Sequence, residues 1–142
     1  MPGSPISPKV LVVTSKFAPH AGGTSVVWTH WCRCWPPEQL RVIAPRVAGD
    51  AVYDARQACR ILRCAYPDIP KIRMPWLWAN QALTLLAECR EERPDLVHFG
   101  HVFENGFMGP LLKRMLGIPY FVHTYAEELM LAKRIPFLRS LV

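Results

Sequence analysis

Short apolar runs separated by turn-forming residues recur along the chain and predict a set of buried strands. Residues 9–14 (KVLVVT), 40–44 (LRVIA) and 120–124 (YFVHT) are rich in β-branched and aromatic residues, and residues 95–101 (DLVHFGH) add polar groups at their end. Runs of this length are typical of strands that a parallel sheet buries on both faces. Residues 58–64 (ACRILRC) mix helical and strand signals, but their brevity and the two prolines that follow favour a fifth strand.

Between these strands, apolar residues recur at three- and four-residue spacing, which predicts amphipathic helices. The first helix follows an N-cap at Thr24 or Ser25 and ends at two consecutive prolines. We expect its inward residues to be Val27, Trp28, Trp31 and Trp35. Residues 47–57, which contain Gly49, Asp50 and Asp54, read as a loop.

Two further helices follow the same spacing. One opens at Pro75, and the other spans residues 107–116, with Gly117 just beyond its end. In the former we expect Trp78, Ala82, Leu85, Leu86 and Cys89 to face the core and Glu88 to face solvent. In the latter we expect Met108, Leu111, Leu112 and Met115 to face inward. A helical pattern from residue 126 onward is interrupted by Pro136.

Strands that alternate with helices predict an α/β fold, a Rossmann-like parallel sheet flanked by helices and joined by right-handed crossovers. Ligands of such sheets bind beyond the carboxyl ends of the strands. Three of the predicted strands run into polar or glycine-rich sequence, at residues 16–23, 101–106 and 123–128. We therefore expect a site at this edge of the sheet.

Length and composition place the chain among globular proteins. Its 142 residues correspond to one domain, and its 51% hydrophobic content argues against disorder. We predict a disordered, proline-punctuated tail at residues 1–8 and a single domain at residues 9–142. No apolar run reaches the ~18 residues of a membrane helix. No export signal opens the sequence, so a cytoplasmic location is expected.

The net charge of +6 narrows the choice of partners. The basic residues are scattered in short groups without interleaved aromatic residues, so nucleic acid is not expected as a partner. A phosphate-bearing substrate or an anionic membrane surface fits the charge equally well. Lys113 and Arg114, and Lys133 and Arg134 with Arg139, lie near apolar helical residues and suggest peripheral docking to the inner face of a membrane. An ordinary solvated surface is the alternative.

Five cysteines in a chain without an export signal favour reduced, mostly packed thiols over a disulfide framework. Cys32 and Cys34 lie near His30, but a structural zinc site needs two separated pairs of ligands. Packing is therefore the favoured interpretation. Neither a metal nor a cofactor is predicted.

The dipeptide Gly22-Gly23 lies between a predicted strand and a predicted helix. Unpaired N–H groups and the helix dipole at such a place favour an anion, and glycine permits close approach of a phosphate. The sequence matches neither GxGxxG nor the GK[ST] ending of a P-loop. A tight turn is the alternative interpretation.

Four segments, in order, resemble the retaining family 4 glycosyltransferases. Residues 9–35 resemble their opening strand, their apolar-Pro-x-x-Gly-Gly loop and the helix that follows. Residues 95–99 (DLVHF) resemble their D-x-V-H strand, and residues 110–120 (PLLKRMLGIPY) their L-G-I-P entry into the next strand. Residues 121–129 (FVHTYAEEL) lie where the family carries a motif similar to His-Gly-x-Glu.

The resemblance implies the N-terminal, acceptor-side Rossmann-like domain of a GT-B enzyme, incomplete at its C-terminal end. It implies transfer of a hexosyl unit from a nucleoside diphosphate sugar to an acceptor, both shared with a missing second domain. The fragment by itself is then expected to be inactive. Gly22 and Gly23, with His20 as a loop neighbour, would contact the donor diphosphate or the acceptor.

The last motif departs from the family pattern. If Ala126 replaces the family glycine and Glu128 is the glutamate, then Tyr125 occupies the histidine position. His123 is then a histidine displaced by two residues, although its buried run makes a structural role an alternative. His123 and Tyr125 are the catalytic candidates that the resemblance implies, and Glu128 is a substrate-binding candidate.

Other polar residues beyond the predicted strands complete the candidates. His101 and Glu104 follow the fourth strand and are expected to bind substrate or phosphate, with an exposed loop as the alternative. His98 lies in the middle of that strand and is expected to be a core residue. A non-catalytic binding module with the same fold is the alternative function.

Overall fold

The computed structural model describes residues 7–126 and 128–130. One parallel sheet contains the strands Val10–Val13 (β1), Leu40–Pro45 (β2), Arg60–Cys64 (β3), Leu96–Phe99 (β4) and Tyr120–Val122 (β5). Their spatial order is β3-β2-β1-β4-β5. Each predicted strand is confirmed, although β4 stops two residues before the predicted end at His101.

The strand order reverses at β1, which pairs with β2 on one side and β4 on the other. In register, Val10 is aligned with both Leu40 and Leu96, and Val13 with both Ile43 and Phe99. Connections leave the carboxyl ends of β1 and β4 in opposite directions, which opens a crevice between them. The expected α/β architecture is confirmed, and the crevice is at the predicted edge.

Two apolar clusters cover the two faces of the sheet. Leu11, Val13 and Phe99 belong to one cluster, and Val10 and Val12 belong to the other. All four residues of β1 are buried, because alternate side chains enter opposite clusters. Full burial of one such side chain contributes about 1.5–3 kcal/mol, which explains why the central strand reads as an unbroken apolar run.

Within the described residues the α-helices are Gly23–Cys34 (α1), Asp50–Asp54 (α2), Pro70–Glu91 (α3) and Met108–Leu116 (α4). A 3-10 turn spans Pro37–Gln39 and a π-helical turn spans Val102–Gly106. Helix α2 lies in the segment predicted to be a loop. Its five residues are too few for a helical period to be visible in the sequence.

Helix α3 begins at Pro70 rather than at Pro75, so the predicted start was wrong by five residues. Pro70 lies in the first turn, where its missing N–H needs no partner. Pro75 lies inside the helix, where it leaves the carbonyl of Lys71 without its usual donor. The long helix tolerates this missing hydrogen bond because Pro75 lies within the first two turns of the helix.

The buried stripe of α3 is rotated from the predicted one. Leu85 and Cys89 are buried as predicted, whereas Trp78 is only half-buried. Gln81 and Glu88 are buried in spite of their polarity, so the prediction that Glu88 faces solvent was wrong. Both side chains have partners on the sheet: Gln81 Nε2 donates to the carbonyl of Thr14, and Glu88 pairs with Arg41.

The other two long helices also bury narrower faces than predicted. On α1, Trp28 is fully buried, but Val27 is exposed. On α4, Leu111 and Met115 are 60% and 53% exposed, which corrects their predicted inward position. At Gly109, α4 lies so close to Tyr120 that a Cβ would overlap the tyrosine ring, so only one narrow side of this helix touches the sheet.

The predicted end of α4 is confirmed at Gly117, whose φ of 65° is the left-handed conformation that glycine adopts most easily. The tail predicted for residues 1–8 lies mostly outside the described residues, as do Pro136 and the cations Lys133, Arg134 and Arg139. Among the helices that the structure describes, none combines the length and apolarity that crossing a membrane requires.

Candidate functional site

Three loops meet at the carboxyl ends of β1, β4 and β5 and line an open cavity of about 410 Å³. Five residues predicted from the sequence line it: Gly23, His101, Glu104, Tyr125 and Glu128. We call it the first cavity. Its position follows from topology, because parallel strands present all their carboxyl ends at one edge.

The N-terminus of α1 forms one wall of the first cavity. Gly22 precedes the helix with φ 150° and ψ 156°, a conformation confined almost entirely to glycine. No side chain caps this helix and no acidic residue lies in its first turn. Gly23 and Thr24 line the cavity, and an uncapped N-terminus there favours a negatively charged group.

Lys16 brings a cation to the same wall. It lies two residues after Thr14, whose hydroxyl bonds both the N–H and the carbonyl of Lys16 at 3.2 Å. Lys16 also lines the first cavity. Lys16 is not among the residues predicted from the sequence, although a lysine that follows a strand and precedes a glycine loop is a usable signal.

Arg63 of β3 holds the loop between β1 and α1 in place. The guanidinium donates to the carbonyl of Ala18 at 2.6 Å and to both carboxylate oxygens of Asp54 at 2.7 and 2.9 Å. It also lies over the ring of Phe17, 5.2 Å from the ring centroid. Because Arg63 is buried and bonded on three sides, it fixes where this loop starts its turn toward Gly22.

The β4 loop approaches β1 at Gly100. A Cβ at this position would lie 2.8 Å from the Thr14 hydroxyl and 3.2 Å from the Trp28 ring, so only glycine fits. The loop then makes the π-helical turn, in which the N–H of Gly106 bonds the carbonyl of His101 at 2.7 Å. This turn points the His101 ring into the space between the β1 and β5 loops.

Glu128 joins the β4 loop to the β5 loop. One carboxylate oxygen accepts the N–H groups of Val102 and Phe103 at 2.9 and 3.3 Å, and the other accepts that of Tyr125 at 3.2 Å. Residues 126 and 128–130 are helical, so the bond to Tyr125 is the return bond of a capping box, in which a glutamate in the first turn reaches back to the N-cap. Glu128 is 8% exposed, so its carboxylate both lines the cavity and fixes its shape.

His101 is the most unusual polar group of the cavity. It is 4% exposed, and its Nε2 has no hydrogen-bond partner among the described residues. Burial, followed by the charges of Lys16 and His123, lowers the pKa of His101 to about 4. The ring is therefore neutral at pH 7. Its Nδ1 lies 3.7 Å from the Glu128 carboxylate, which favours the proton on Nδ1 and leaves Nε2 as an acceptor.

The two predicted catalytic residues lie side by side but differ in access to the cavity. Tyr125 lines it, with its ring centroid 5.0 Å from that of His101 and 4.6 Å from that of His123. Burial raises the pKa of Tyr125, and the nearby Glu128 charge adds to this. His123 lies behind Tyr125 among aromatic rings, 6.0 Å from Trp28, and does not line the cavity.

His98 is a core residue, as expected. It is 3% exposed and surrounded by rings, with centroids at 5.0 Å for Trp28, 5.1 Å for Trp31 and 5.1 Å for Phe121. Burial, together with His123, lowers the pKa of His98 to about 4.

The remaining predicted residues lie around the rim. His20 lines an adjoining cavity of about 480 Å³, which we call the second cavity. Gly22 lies outside both, facing a shallow recess beside α1. Lys16 and Glu104 line both cavities and so form their shared wall.

The cysteines match the prediction of mostly packed thiols, since four of the five are buried and all are free. Cys34 is the exposed one, with its sulfur 3.4 Å from His30 Nε2. The Cys32 thiol hydrogen-bonds that of Cys59, which, with burial, raises the pKa of Cys32. In the part of the chain that the structure describes, no three His, Cys, Asp or Glu side chains are grouped as metal ligands.

The sheet order, the glycine loop at its switch point and the cavity at that edge define a Rossmann-like α/β domain. The glycosyl transferase 4-like domain matches residues 22–142, most of the chain. The protein belongs to this family, and the resemblance seen in its motifs is confirmed.

A solved structure has the same fold. It is that of Phytolacca americana UGT2 complexed with UDP-2fluoro-glucose and pterostilbene, with a TM-score of 0.56 and 12% sequence identity. The likeness covers 96% of this chain and 35% of that chain, so this chain spans about a third of its length. At this identity the likeness concerns the fold, which is that of a GT-B domain. No curated protein sequence matches the chain.

Proposed function

We propose that this chain is the N-terminal, acceptor-side domain of a retaining glycosyltransferase that uses a nucleoside diphosphate sugar. One observation carries the proposal: the uncapped N-terminus of α1 and Lys16 line one cavity together with the polar side chains of His101 and Tyr125. The helix end and the lysine favour a phosphate, and the polar side chains beside them are suited to hydroxyl groups. A sugar diphosphate carries both groups side by side.

In the proposed reaction, the bond between the anomeric carbon and the diphosphate oxygen breaks, and its electron pair leaves on that oxygen. Amide groups at Gly23 and Thr24 and the ammonium of Lys16 would stabilise this charge, since preformed dipoles and cations act most strongly in a dehydrated site. The acceptor oxygen forms the new bond on the same face of the ring. The departing phosphate oxygen is then close enough to take the hydroxyl proton.

His101 is assigned to substrate binding in this scheme. Its ring lines the cavity and is neutral at pH 7, so it adds a polar surface there without a charge. Glu128 acts through His101, because its carboxylate is already bonded to three backbone N–H groups. Tyr125 closes the cavity beside His101, and His123 supports Tyr125 from behind.

The proposal is tested by titrating uridine diphosphate into the ¹⁵N-labelled full chain. We expect shifts of the Gly23 and Thr24 amides, and the substitution Lys16→Met should weaken binding about tenfold, the effect of losing one charge-assisted contact. Lys113→Met on the exposed side of α4 is the matched control. Absence of shifts at both amides up to about 10 mM ligand would contradict the donor assignment.

The proposed reaction requires a second domain, so the chain by itself is expected to have negligible transferase activity. The chain would supply one wall of the cleft, and the other domain would supply contacts to the nucleotide and sugar. Measurable turnover of a nucleoside diphosphate sugar by the purified 142-residue chain would contradict this part of the proposal.

Docking to an anionic membrane is a second candidate function, which the exposed side of α4 favours. Phe107, Leu111 and Met115 follow one another at four-residue spacing and are 50%, 60% and 53% exposed. Lys113 and Arg114 are exposed on the same helix. Apolar side chains with flanking cations are the composition of helices that lie in a membrane interface.

This second candidate is tested by sedimentation with vesicles of phosphatidylcholine and phosphatidylglycerol. Salt-sensitive binding that the double substitution Lys113→Glu and Arg114→Glu abolishes would support docking. The matched control carries Arg56→Glu and Arg90→Glu, two exposed sites on other elements. Absence of binding, or an equal loss in both double variants, would exclude docking through α4.

A further inference from the structure

The side of α1 that faces away from the sheet carries a histidine and a cysteine one helical turn apart. Cys34 is the exposed cysteine of the five, and His30 is exposed four residues before it. Residues at this spacing are neighbours on a helix surface, and the Cys34 sulfur lies 3.4 Å from Nε2 of His30. We call these two residues the Cys34–His30 pair.

We propose that the Cys34–His30 pair binds Zn²⁺ and that a second copy of this chain supplies the other two ligands. The centre then contains two cysteine sulfurs and two histidine nitrogens around one ion. This site is independent of the proposed function. At a rise of 1.5 Å per residue, Cys34 lies about 16 Å along α1 from Gly23, whose end of the helix borders the first cavity.

The separation of the two ligand atoms fits a tetrahedral metal site. Zinc binds cysteine sulfur at about 2.3 Å and histidine nitrogen at about 2.0–2.1 Å, in tetrahedral geometry. One sulfur and one nitrogen on the same ion are then about 3.6 Å apart. The observed separation of 3.4 Å is close to this value, so small side-chain rotations bring both atoms onto one ion. A tetrahedral set of two sulfurs and two nitrogens is typical of zinc.

One chain supplies two of the four ligands that a structural zinc ion takes. Among the residues that the structure describes, no third His, Cys, Asp or Glu completes a metal-binding group with the pair. Cys32 is buried and lies two residues from Cys34, so it is on a different face of α1. A second copy related by a two-fold axis supplies an identical pair, which completes the tetrahedron.

The surroundings of the pair permit this arrangement. Val26 lies two turns before Cys34 on the same side of α1 and is largely exposed, so a second copy can cover apolar surface next to the ligands. Helix α1 ends at Cys34, and the carbonyl groups at a helix C-terminus favour a nearby cation.

The charges of the centre also balance. Each thiol loses its proton to solvent when it binds the ion, and each imidazole binds in its neutral form. Two thiolates then neutralise the two charges of Zn²⁺. The exposed Arg33, three residues after His30, therefore lies beside a neutral centre rather than beside a bare cation.

The test uses the purified full chain, freed of metal by a chelator and kept reduced by a phosphine. Zn²⁺ is titrated while sedimentation velocity follows the mass of the protein. We expect dimers that contain one Zn²⁺ for two chains and that EDTA returns to monomers. Co²⁺ is the spectroscopic probe, and we expect the intense visible bands of a tetrahedral ion together with a sulfur-to-metal charge-transfer band.

Two substitutions in the pair locate the site. Cys34→Ser and His30→Gln should each weaken zinc-dependent dimerisation at least about tenfold, because each removes two of the four ligands of the dimer. His20→Gln is the matched control, since His20 is exposed and lines the same shallow recess beside α1 as His30. All three positions are exposed, so the variants should unfold at the same urea concentration as the parent chain.

Four results would overturn the proposal. One is binding of one Zn²⁺ per chain without dimers, and another is an octahedral Co²⁺ spectrum without the charge-transfer band. The third is an equal loss of dimerisation in His20→Gln and His30→Gln. The fourth is a zinc-dependent dimer that persists in Cys34→Ser, since groups other than the pair would then hold it.

Discussion

The two ends of the sheet differ in how their polar groups are paired. At the amino ends of the strands, Arg41 of β2 pairs with Glu88 at 2.7 Å, and Arg60 of β3 pairs with the other oxygen of Glu88 at 3.0 Å. Next to them, Lys9 pairs with Glu92 at 2.9 Å. These contacts tie the starts of the strands to the end of α3, so the buried charges at this end are matched within the fold.

At the carboxyl ends, by contrast, several polar groups lack a cap or a hydrogen-bond partner within the described residues. Helix α1 begins without a side-chain cap, and Nε2 of His101 has no partner among the described residues. Leaving a buried polar atom unpaired costs about 1–3 kcal/mol, so His101 lowers the stability of this end of the sheet. The comparison teaches that one end of the sheet stabilises the domain, whereas the other is the end at which we propose that substrates bind.

The largest expected effect comes from breaking the amino end. Glu88→Gln should lower the free energy of unfolding by about 3 kcal/mol, because the buried Arg41 then keeps only the more distant Glu92 carboxylate, 3.7 Å away. Urea unfolding at pH 7 measures this. Glu91→Gln, on the exposed side of the same helix, should change stability by less than about 0.5 kcal/mol. Equal losses in both variants would remove the contrast between the two ends.

Acid should weaken the fold through its two buried histidines. The folded-state pKa of His98 and of His101 is about 4, below the ordinary value of 6.5. Below pH 6.5 the unfolded chain therefore binds protons that the folded chain does not, and stability falls until pH 4. At pH 5 the loss is about 2 kcal/mol for each histidine.

This prediction is checked by urea unfolding at pH 7 and pH 5. The substitutions His98→Gln and His101→Gln should each remove about half of the pH-dependent loss that these two residues cause. His30→Gln, at an exposed position of α1, is the control and should leave the loss unchanged. If neither His98→Gln nor His101→Gln reduces the loss, the assignment of the buried neutral state is wrong.

A smaller effect is expected from loosening the carboxyl end. Glu128→Gln should lower stability by about 1–2 kcal/mol, since the amide oxygen accepts weaker bonds than a carboxylate. Hydrogen exchange at the Val102 and Phe103 amides should accelerate, because both donate to Glu128. The exposed Glu38→Gln is the control. Unchanged exchange at both amides would mean that Glu128 does not hold the two loops together.

The smallest effect on stability is expected from a substitution in the first cavity itself. Lys16→Met should change the free energy of unfolding by less than about 0.5 kcal/mol, as is usual for residues outside the core and its buried networks. The same variant should weaken binding of uridine diphosphate, as proposed above. A loss of stability comparable with that of Glu88→Gln would show that Lys16 is structural and would blur the contrast between the two ends.

Local pattern was sufficient for the elements and the edge at which the site lies. The apolar runs of β1 and β2 and the glycines 22 and 23 are features of neighbouring residues, so the sequence displays them directly. Parallel topology then requires that the loops after β1, β4 and β5 share one edge. The family resemblance followed from the same local motifs.

The orientation and the partners of the polar side chains were decided only by the tertiary structure. Glu88 reads as a solvent-facing residue until α3 is placed against Arg41, and Arg63 shows its role only when Ala18 and Asp54 lie beside it. His101 and Glu128 are distant in sequence, and their pairing depends on the lengths of two loops. The sequence by itself determined which segments become strands and helices, since hydrophobic period is local. Long-range packing determined which polar groups are satisfied and which remain for a ligand, because burial depends on neighbours that the chain brings together only on folding.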